Sequence, residues 1–296
     1  MESVEHVVKA ARGHFTIWAR WTRIVWNFVM DLITGTCELQ RICDVDTKDF
    51  RGMMVKVRTS VALDSSLKGA QQDIFSFKPF DVTATLFRLG EIKKYAITKL
   101  CESNLRACFT RFREVNEVYT KAIALKDEAY DSKNEEHEAL LEQLWSNLKP
   151  DVRRAGGRYT KEWGEIGFQG KDPMTDFRSM GLLALKQLVY YTEHYPVEAK
   201  RALVHSSHPT QWYPFAVTGI NITSFVVDVM KERLVDSRFY DKECSLEQLH
   251  EFYCMVFSMF DAFWVESNPT DLMAFPTVFK MLQDTIRLEL AERSYA

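Results

Sequence analysis

An all-α fold, a single multi-helix domain with a helical N-terminal extension, is predicted by three features of this 296-residue sequence. Glycine and proline are scarce, with 12 and 8 residues. Apolar residues make up 46% of the chain and recur at helical spacing over long segments. No stretch alternates apolar and polar residues over a useful strand length. We expect three parts, over residues 1–44, 45–133 and 134–296.

The first predicted helix covers residues 14–33. Its apolar residues at helical spacing are Trp18, Trp21, Val25, Phe28, Val29 and Leu32. Arg20, Arg23 and Asp31 interrupt the apolar run, which argues against a membrane-spanning helix. One interpretation is a helix lying on a membrane surface, with its tryptophans at the level of the headgroups. We favour the other, a helix packed into the core, because apolar residues cover more than one face.

The next part of the chain carries weaker signals. Residues 44–80 have mixed charges and little periodicity, which predicts an irregular connection. Residues 81–126 predict two helices with a break near Ser103. Residues 127–138 are acidic and polar and are expected to form a solvated link.

From residue 138 onward the helical pattern is dense. An apolar stripe ends at Pro150, and a short helix around Trp163 is closed by Gly167. Later helices are predicted over residues 180–191 and 220–234, after a capping box formed by Ser245 and Gln248, and from Pro276 to the end.

Composition and missing motifs exclude several function classes. Lys and Arg total 38 against 41 Asp and Glu, so the basic footprint of a nucleic-acid-binding protein is missing. No phosphate-binding loop, dinucleotide fingerprint, zinc-protease motif or serine-hydrolase motif occurs in the sequence. The six cysteines lack zinc spacing, and the close pair His205 and His208 lacks a third ligand. We expect a cytoplasmic protein with reduced thiols and with no metal or cofactor of its own.

Residues 163–178 carry the strongest candidate site. After a glycine-rich turn, either Asp172 or Thr175 can cap the next helix, and Pro173 suits its first position if Asp172 is the cap. Either cap places Arg178 in the first two turns. A cation there opposes the helix dipole, at a cost of a few tenths to about 1 kcal/mol. Local conflicts of this kind are where functional residues are expected.

The neighbours of Arg178 leave its role open. Asp176 is close enough to hold the guanidinium group, or it simply favours the helix N-terminus. Gln169 either helps to place a water molecule or forms the backbone hydrogen bonds typical of a turn. From the residues alone, an Arg–Asp pair that fixes the loop ranks ahead of catalysis, with Trp163 and Phe168 as packing residues.

A family resemblance changes that order. One segment of this sequence resembles the signature of the ELMO domain. It is the run Trp163-x-x-x-Gly167-Phe168-Gln169-x-x-x-Pro173-x-Thr175-Asp176-Phe177-Arg178-x-x-Gly181-x-x-x-Leu185-x-x-Leu188. Further similar segments are Tyr213-Pro214-Phe215-Ala216, Gly219-Ile220-Asn221-Ile222-Thr223, Phe252-Tyr253-Cys254 and Phe260-Asp261-x-Phe263-Trp264. Residues 35–42 are similar to short ELMOD proteins, which consist of little beyond this domain. Ser179 departs from the pattern, which usually has Gly there.

The resemblance implies an ELMO domain over residues 134–296 and GTPase activation toward Arf and Arf-like small GTPases. The family's proposed catalytic arginine lies in the Thr-Asp-Phe-Arg run, which places it at Arg178, with Thr175, Asp176 and Gln169 as supporting residues. GTP and magnesium would belong to the partner GTPase. We expect peripheral association with an intracellular membrane if residues 14–33 bind lipid.

Two alternatives remain at this point. ELMO domains also occur in scaffolding proteins that help an exchange factor act on Rac-type GTPases. In that case the chain is a non-catalytic binding module and Arg178 is structural. A purely structural membrane-surface protein is the third possibility, and it rests on residues 14–33 alone.

Overall fold

The computed structural model describes residues 21–93, 98–241 and 243–295. Every regular element within these ranges is a helix, which confirms the all-α fold. The chain divides into two compact units, residues 1–116 and 117–296. None of the helices in the described ranges is long and apolar enough to cross a membrane.

The first unit is built from short helices. They are α1 (residues 21–34), α2 (Glu38–Cys43), α3 (Phe50–Leu63), a 3-10 turn (Ser65–Leu67), α4 (Lys68–Phe75), α5 (Val82–Lys93) and the first part of α6 (Lys99–Asp127). Buried apolar side chains from all of these except α1 form its core, among them Cys43, Met54, Val57, Leu67, Ile74, Leu89, Cys101 and Phe109. The thiols of the first unit are free cysteines inside this core.

The predicted irregular segment over residues 44–80 is wrong, because α3 and α4 occupy most of it. One face of α3 is buried through Met53, Met54, Val57 and Val61. That stripe is narrow and is interrupted by charged residues, so the helical period was hidden in the sequence.

The predicted break near Ser103 is also wrong, since Ser103 lies inside α6. Helix α6 instead begins at Lys99, directly after the non-helical residue Thr98. Thr98 Oγ1 accepts a hydrogen bond of 3.0 Å from the Cys101 amide. Thr98 therefore caps the N-terminus of α6.

Helix α1 contradicts the favoured interpretation of core packing over its described residues, 21–33. Its large apolar side chains are exposed, and they include Trp21, Trp26, Phe28 and Leu32. The partly buried residues of the helix are Arg23, Asn27, Met30 and Asp31, so the covered side is mainly polar. Residues 14–20 of the predicted helix lie outside the described residues.

The second unit contains the longer apolar helices. They are α7 (Glu135–Leu148), 3-10 helices at Lys161–Ile166 and Pro173–Arg178, α8 (Gly181–His194), α9 (Pro196–Ser206), α10 (Phe215–Lys231), a 3-10 turn (Asp236–Phe239), α11 (Leu246–Ser267), a 3-10 turn (Leu272–Ala274) and α12 (Phe275–Tyr295). Helix α8 is central, because it packs against α7, α9, α10 and α11. The helices predicted over residues 180–191 and 220–234, after Ser245 and from Pro276 are confirmed, whereas α9 was not predicted.

Aromatic side chains join α8, α10 and α11. Tyr191 stacks on Phe257 with ring centroids 4.6 Å apart, and Phe215 lies 4.9 Å from the same ring. Gly219 on α10 leaves room for this cluster, since a Cβ there would lie 2.6 Å from the Tyr253 hydroxyl oxygen. Close packing of aromatic rings of this kind dominates the energetics of a core.

The predicted capping box at the start of α11 does not form. Ser245 occupies the N-cap position, but its side chain caps no backbone amide. The Gln248 side-chain amide donates to the Glu243 carbonyl oxygen instead of reaching back to the cap. The sequence pattern was present without the geometry that it usually accompanies.

Candidate functional site

The turn that precedes the candidate site is fixed by a glycine. Gly167 ends the 3-10 helix Lys161–Ile166 with φ of +84°. A Cβ at this position would lie 2.1 Å from the Phe215 backbone nitrogen, and the Gly167 carbonyl accepts a hydrogen bond of 3.2 Å from the Val217 amide. The turn is therefore held against the first residues of α10, where only glycine fits.

The next element, Pro173–Arg178, is a short 3-10 helix and not the start of a long α-helix. Asp172 is its cap, because one carboxylate oxygen accepts a 3.0 Å hydrogen bond from the Met174 amide. Pro173 occupies the first position, as predicted for an Asp172 cap. Arg178 is the last residue of this helix, so the expected conflict with the helix dipole is wrong. A cation at the C-terminal end is favourable.

Phe177 anchors this helix in the core. It is 1% exposed and lies between the rings of Tyr130 and Phe168, at 5.4 Å and 5.5 Å between centroids. Trp163 continues the cluster, with its ring centroid 6.0 Å from Phe168. The prediction that Trp163 and Phe168 are packing residues is confirmed by their burial. Because Phe177 points inward, the side chain of Arg178 is directed to the surface.

Arg178 is exposed, and only one of its nitrogens is engaged by the residues that the structure describes. Its Nε donates a hydrogen bond of 2.9 Å to the Thr175 carbonyl oxygen. No carboxylate among the described residues lies within ion-pair distance of its guanidinium group. Thr175 is itself held by a 2.9 Å hydrogen bond from its hydroxyl to the Asp172 carbonyl oxygen. The arginine is thus tethered at its base, while its two terminal nitrogens face solvent.

Asp176 does not form the ion pair that would hold Arg178. Its carboxylate accepts a 2.8 Å hydrogen bond from the Gln169 amide, so it links the glycine-rich turn to the 3-10 helix. Partial burial raises the pKa of this carboxyl group, and the Gln169 amide and the charge of Arg178 oppose that shift. Gln169 takes part through its backbone, and its side chain is exposed.

Two residues that support the site were missed by sequence reasoning. Arg158 donates to Asp172 at 2.8 Å and also pairs with Glu138 on α7, so it braces the capping residue. Gly181 has φ of +49°, and a Cβ there would lie 2.4 Å from the Glu128 carbonyl oxygen. Gly181 belongs to the quoted ELMO-domain run, so the sequence contained a signal for it. No sequence feature indicated a role for Arg158.

Ser179 stands where the resembling pattern has glycine. Its φ of −89° and ψ of −31° are ordinary for any residue, and its side chain is exposed. The serine therefore introduces no backbone strain after Arg178.

His205 and His208 have structural partners. His205 Nδ1 lies 2.9 Å from the buried carboxylate of Asp261, which also accepts a 2.8 Å hydrogen bond from the Tyr213 hydroxyl. His208 Nδ1 accepts a 3.1 Å hydrogen bond from the Gln211 amide. Within the described ranges, no group of three or more His, Cys, Asp or Glu side chains is arranged to hold a metal ion.

Comparison with known proteins adds to this geometry. The model of the ELMO/CED-12 family matches residues 120–279, which include the Arg178 loop and most of the second unit. The chain belongs to the ELMO/CED-12 family. Its match to that family covers the cap at Asp172, the anchor Phe177 and the exposed Arg178.

Individual relatives match over more of the chain than the family model does. ELMO domain-containing protein B of Dictyostelium discoideum is 35% identical over 270 residues, which are 88% of this chain and 93% of that protein. Human ELMO domain-containing protein 2 is 32% identical over 279 residues, 89% of this chain and 88% of that protein. ELMO domain-containing protein 1 of Bos taurus is 33% identical over 295 residues, 91% of this chain and 89% of that protein. These matches extend well into the first unit.

Proposed function

We propose that this ELMO-domain protein is a GTPase-activating protein for Arf or Arf-like small GTPases and that it supplies Arg178 to the partner's nucleotide site. The observation that carries the proposal is the state of Arg178. It is exposed on an anchored helix, tethered through Nε, and has no ion-pair partner among the described residues. This state leaves the guanidinium group available to the phosphate oxygens of a second molecule.

The chemistry requires an arginine of this kind. GTP hydrolysis builds charge on the phosphate oxygens, and a permanent planar cation supplied in trans stabilises that charge. Such an arginine raises the rate by about 10³–10⁵, which corresponds to roughly 4–7 kcal/mol of barrier. The partner GTPase would provide GTP, magnesium and the attacking water.

The surrounding contacts reduce the entropy that must be lost when Arg178 inserts. Phe177 holds the helix from below, Asp172 caps it, and Asp176 ties it to the preceding turn. Preorganised groups contribute more to catalysis because less motion is frozen at the moment of reaction. We therefore assign Asp172, Asp176 and Thr175 as positioning residues.

The test is phosphate release from a panel of GTP-loaded Arf-family GTPases mixed with the purified protein. Arg178→Ala and Arg178→Lys should each abolish most of the stimulation, by about 10²-fold or more, while binding to the GTPase persists. Lys171→Ala is the matched control, because it removes an exposed cation from the same loop. It should change the rate by only a few fold. Stimulation that survives in both Arg178 variants would contradict the proposal.

The same panel distinguishes the alternative, a non-catalytic binding module of a GTPase-regulator complex. That alternative predicts binding to a small GTPase with no stimulation of hydrolysis, by the natural protein as well as by the Arg178 variants. If Arg178 had only a structural role, Arg178→Ala should lower the thermal stability of the protein. The exposure of the Arg178 side chain argues against such a loss.

A further inference from the structure

Helix α1 turns its polar side toward the rest of the first unit. Arg23 forms an ion pair with Glu38 at 2.7 Å, and Asp31 forms one with Arg41 at 2.7 Å. Asn27 accepts a 3.2 Å hydrogen bond from Arg41. These contacts place α1 on α2 through side chains spaced four residues apart, which form one helical face.

The opposite side of α1 is apolar and exposed. Its exposed large side chains are Trp21, Ile24, Val25, Trp26, Phe28, Val29, Leu32 and Ile33, and five of them are more than 60% exposed. At 3.6 residues per turn they cover an arc of about 200°. The charged residues among 21–34 are Arg23 and Asp31, both on the paired face, so no charge interrupts this apolar arc.

This arrangement reverses the usual order of an amphipathic helix on a water-soluble domain, which buries its apolar stripe. Contiguous exposed apolar surface of this extent marks an interaction site. Because the ion pairs fix the polar face against α2, a partner can reach the helix from the apolar side only. A partner that lies flat against one side of the helix is therefore required.

Charge and residue type identify the partner. The sequence immediately before α1, residues 9–20, contains Lys9, Arg12 and Arg20 and no acidic residue. A basic segment joined to an apolar helix face with two tryptophans matches the surface of a bilayer with anionic lipids. Tryptophan is enriched at the headgroup level, where its ring is apolar and its N–H stays hydrated. A protein groove would not require the adjoining basic residues.

We propose that the apolar face of α1 binds the surface of membranes that contain anionic lipids, with the helix lying in the plane of the interface. The inference does not depend on the proposed GTPase-activating function. It assigns Phe28 and Leu32 to the acyl-chain side of the interface and Trp21 to the headgroup level.

The test is flotation of the full chain with phosphatidylcholine vesicles, with and without about 30% phosphatidylserine, an anionic lipid fraction in the range where surface charge acts on nearby basic residues. The protein should float with the anionic vesicles and much less with the neutral ones. Phe28→Asp should weaken that binding about tenfold or more, because it removes an inserted ring and adds a charge that the lipid repels.

Phe87→Asp is the matched control. Phe87 is 69% exposed on α5 of the same unit, so this variant makes the same chemical change outside α1. It should float like the natural protein, and circular dichroism should show both variants folded. Equal loss in the two variants, or no preference for anionic vesicles, would overturn the proposal. So would a dimer by light scattering that Phe28→Asp converts to monomer, because it would assign this face to a second copy.

Discussion

Helices α1 and α11 are both rich in aromatic residues, and the structure treats them in opposite ways. On α11 the aromatic side is buried, with Phe257, Phe260 and Trp264 fully enclosed. On α1 the aromatic side is exposed and the polar side makes the contacts. Apolar periodicity therefore identifies a helix without saying which of its faces is covered.

The difference has its origin in the partner surfaces. Helix α11 meets rings such as Tyr191 and Tyr213, so apolar contact is available to it. Helix α1 meets the side of α2 that carries Glu38 and Arg41, so ion pairs are available instead. The sequence of each helix alone does not contain this information.

The largest expected effect comes from comparing a tryptophan in each helix. Trp264→Ala should lower the free energy of unfolding by about 3–5 kcal/mol, because it leaves a cavity in a packed aromatic cluster. Trp26→Ala should change it by about 0.5 kcal/mol or less, since Trp26 is 63% exposed. Chemical denaturation of both variants measures the pair. A similar loss of unfolding free energy in the two variants would contradict the contrast between the buried aromatic side of α11 and the exposed one of α1.

A second expected effect concerns pH. His250 on α11 is buried, and burial lowers its pKa to about 4, with Lys186 assisting and Glu247 opposing. An unfolded histidine titrates near 6.5, so the unfolded chain takes up this proton first as the pH falls. The contribution of neutral His250 to the free energy of unfolding is fully present above a pH of about 6.5. It is lost on acidification, by about 3 kcal/mol in total once the pH is below about 4.

The measurement is the free energy of unfolding from pH 7 to pH 4 in the natural protein and in His250→Gln. The variant should lack this component of the acid destabilisation, and the difference between the two curves isolates the histidine from other groups. Parallel curves would contradict the assignment. Trp26→Ala, which changes no ionisable group, should leave the pH dependence of unfolding unchanged.

The smallest expected effect compares one carboxylate in each helix. Asp261 is 1% exposed and accepts from Tyr213, so Asp261→Asn should cost about 2 kcal/mol through loss of a charge-assisted hydrogen bond. Asp31→Asn weakens a partly exposed ion pair and should cost about 0.5 kcal/mol. Thermal unfolding of the two variants tests this order. Reversal of the order would mean that the ion pairs of α1 contribute more than their exposure indicates.

The fold was predictable wherever apolar residues formed wide stripes. Helices α8, α11 and α12 were identified for this reason. Helix α3 was not, because its buried stripe of Met53, Val57 and Val61 is narrow and lies among charged residues. The orientation of α1 could not be predicted either, since it depends on ion pairs with the next helix.

The candidate site was predictable in its local parts. The stop at Gly167 follows from neighbouring residues, and Asp172 was one of the two caps that the sequence allowed, with Pro173 at the first position if Asp172 was chosen. The role of Arg158 and the close approach at Gly181 depend on Glu138 and Glu128, which are distant in sequence. Arg178 was predicted near the start of an α-helix, whereas it is the last residue of a 3-10 helix, which local residue preferences did not distinguish.

The tether of Arg178 through Nε has a consequence for any replacement of that residue. Arginine can keep its bond to the Thr175 carbonyl and still present two nitrogens to an oxyanion. Lysine has a single nitrogen, which must leave the carbonyl before it can reach an outside ligand. A conservative exchange would thus remove both the double contact and the anchor that aims it, and retaining the charge would restore neither.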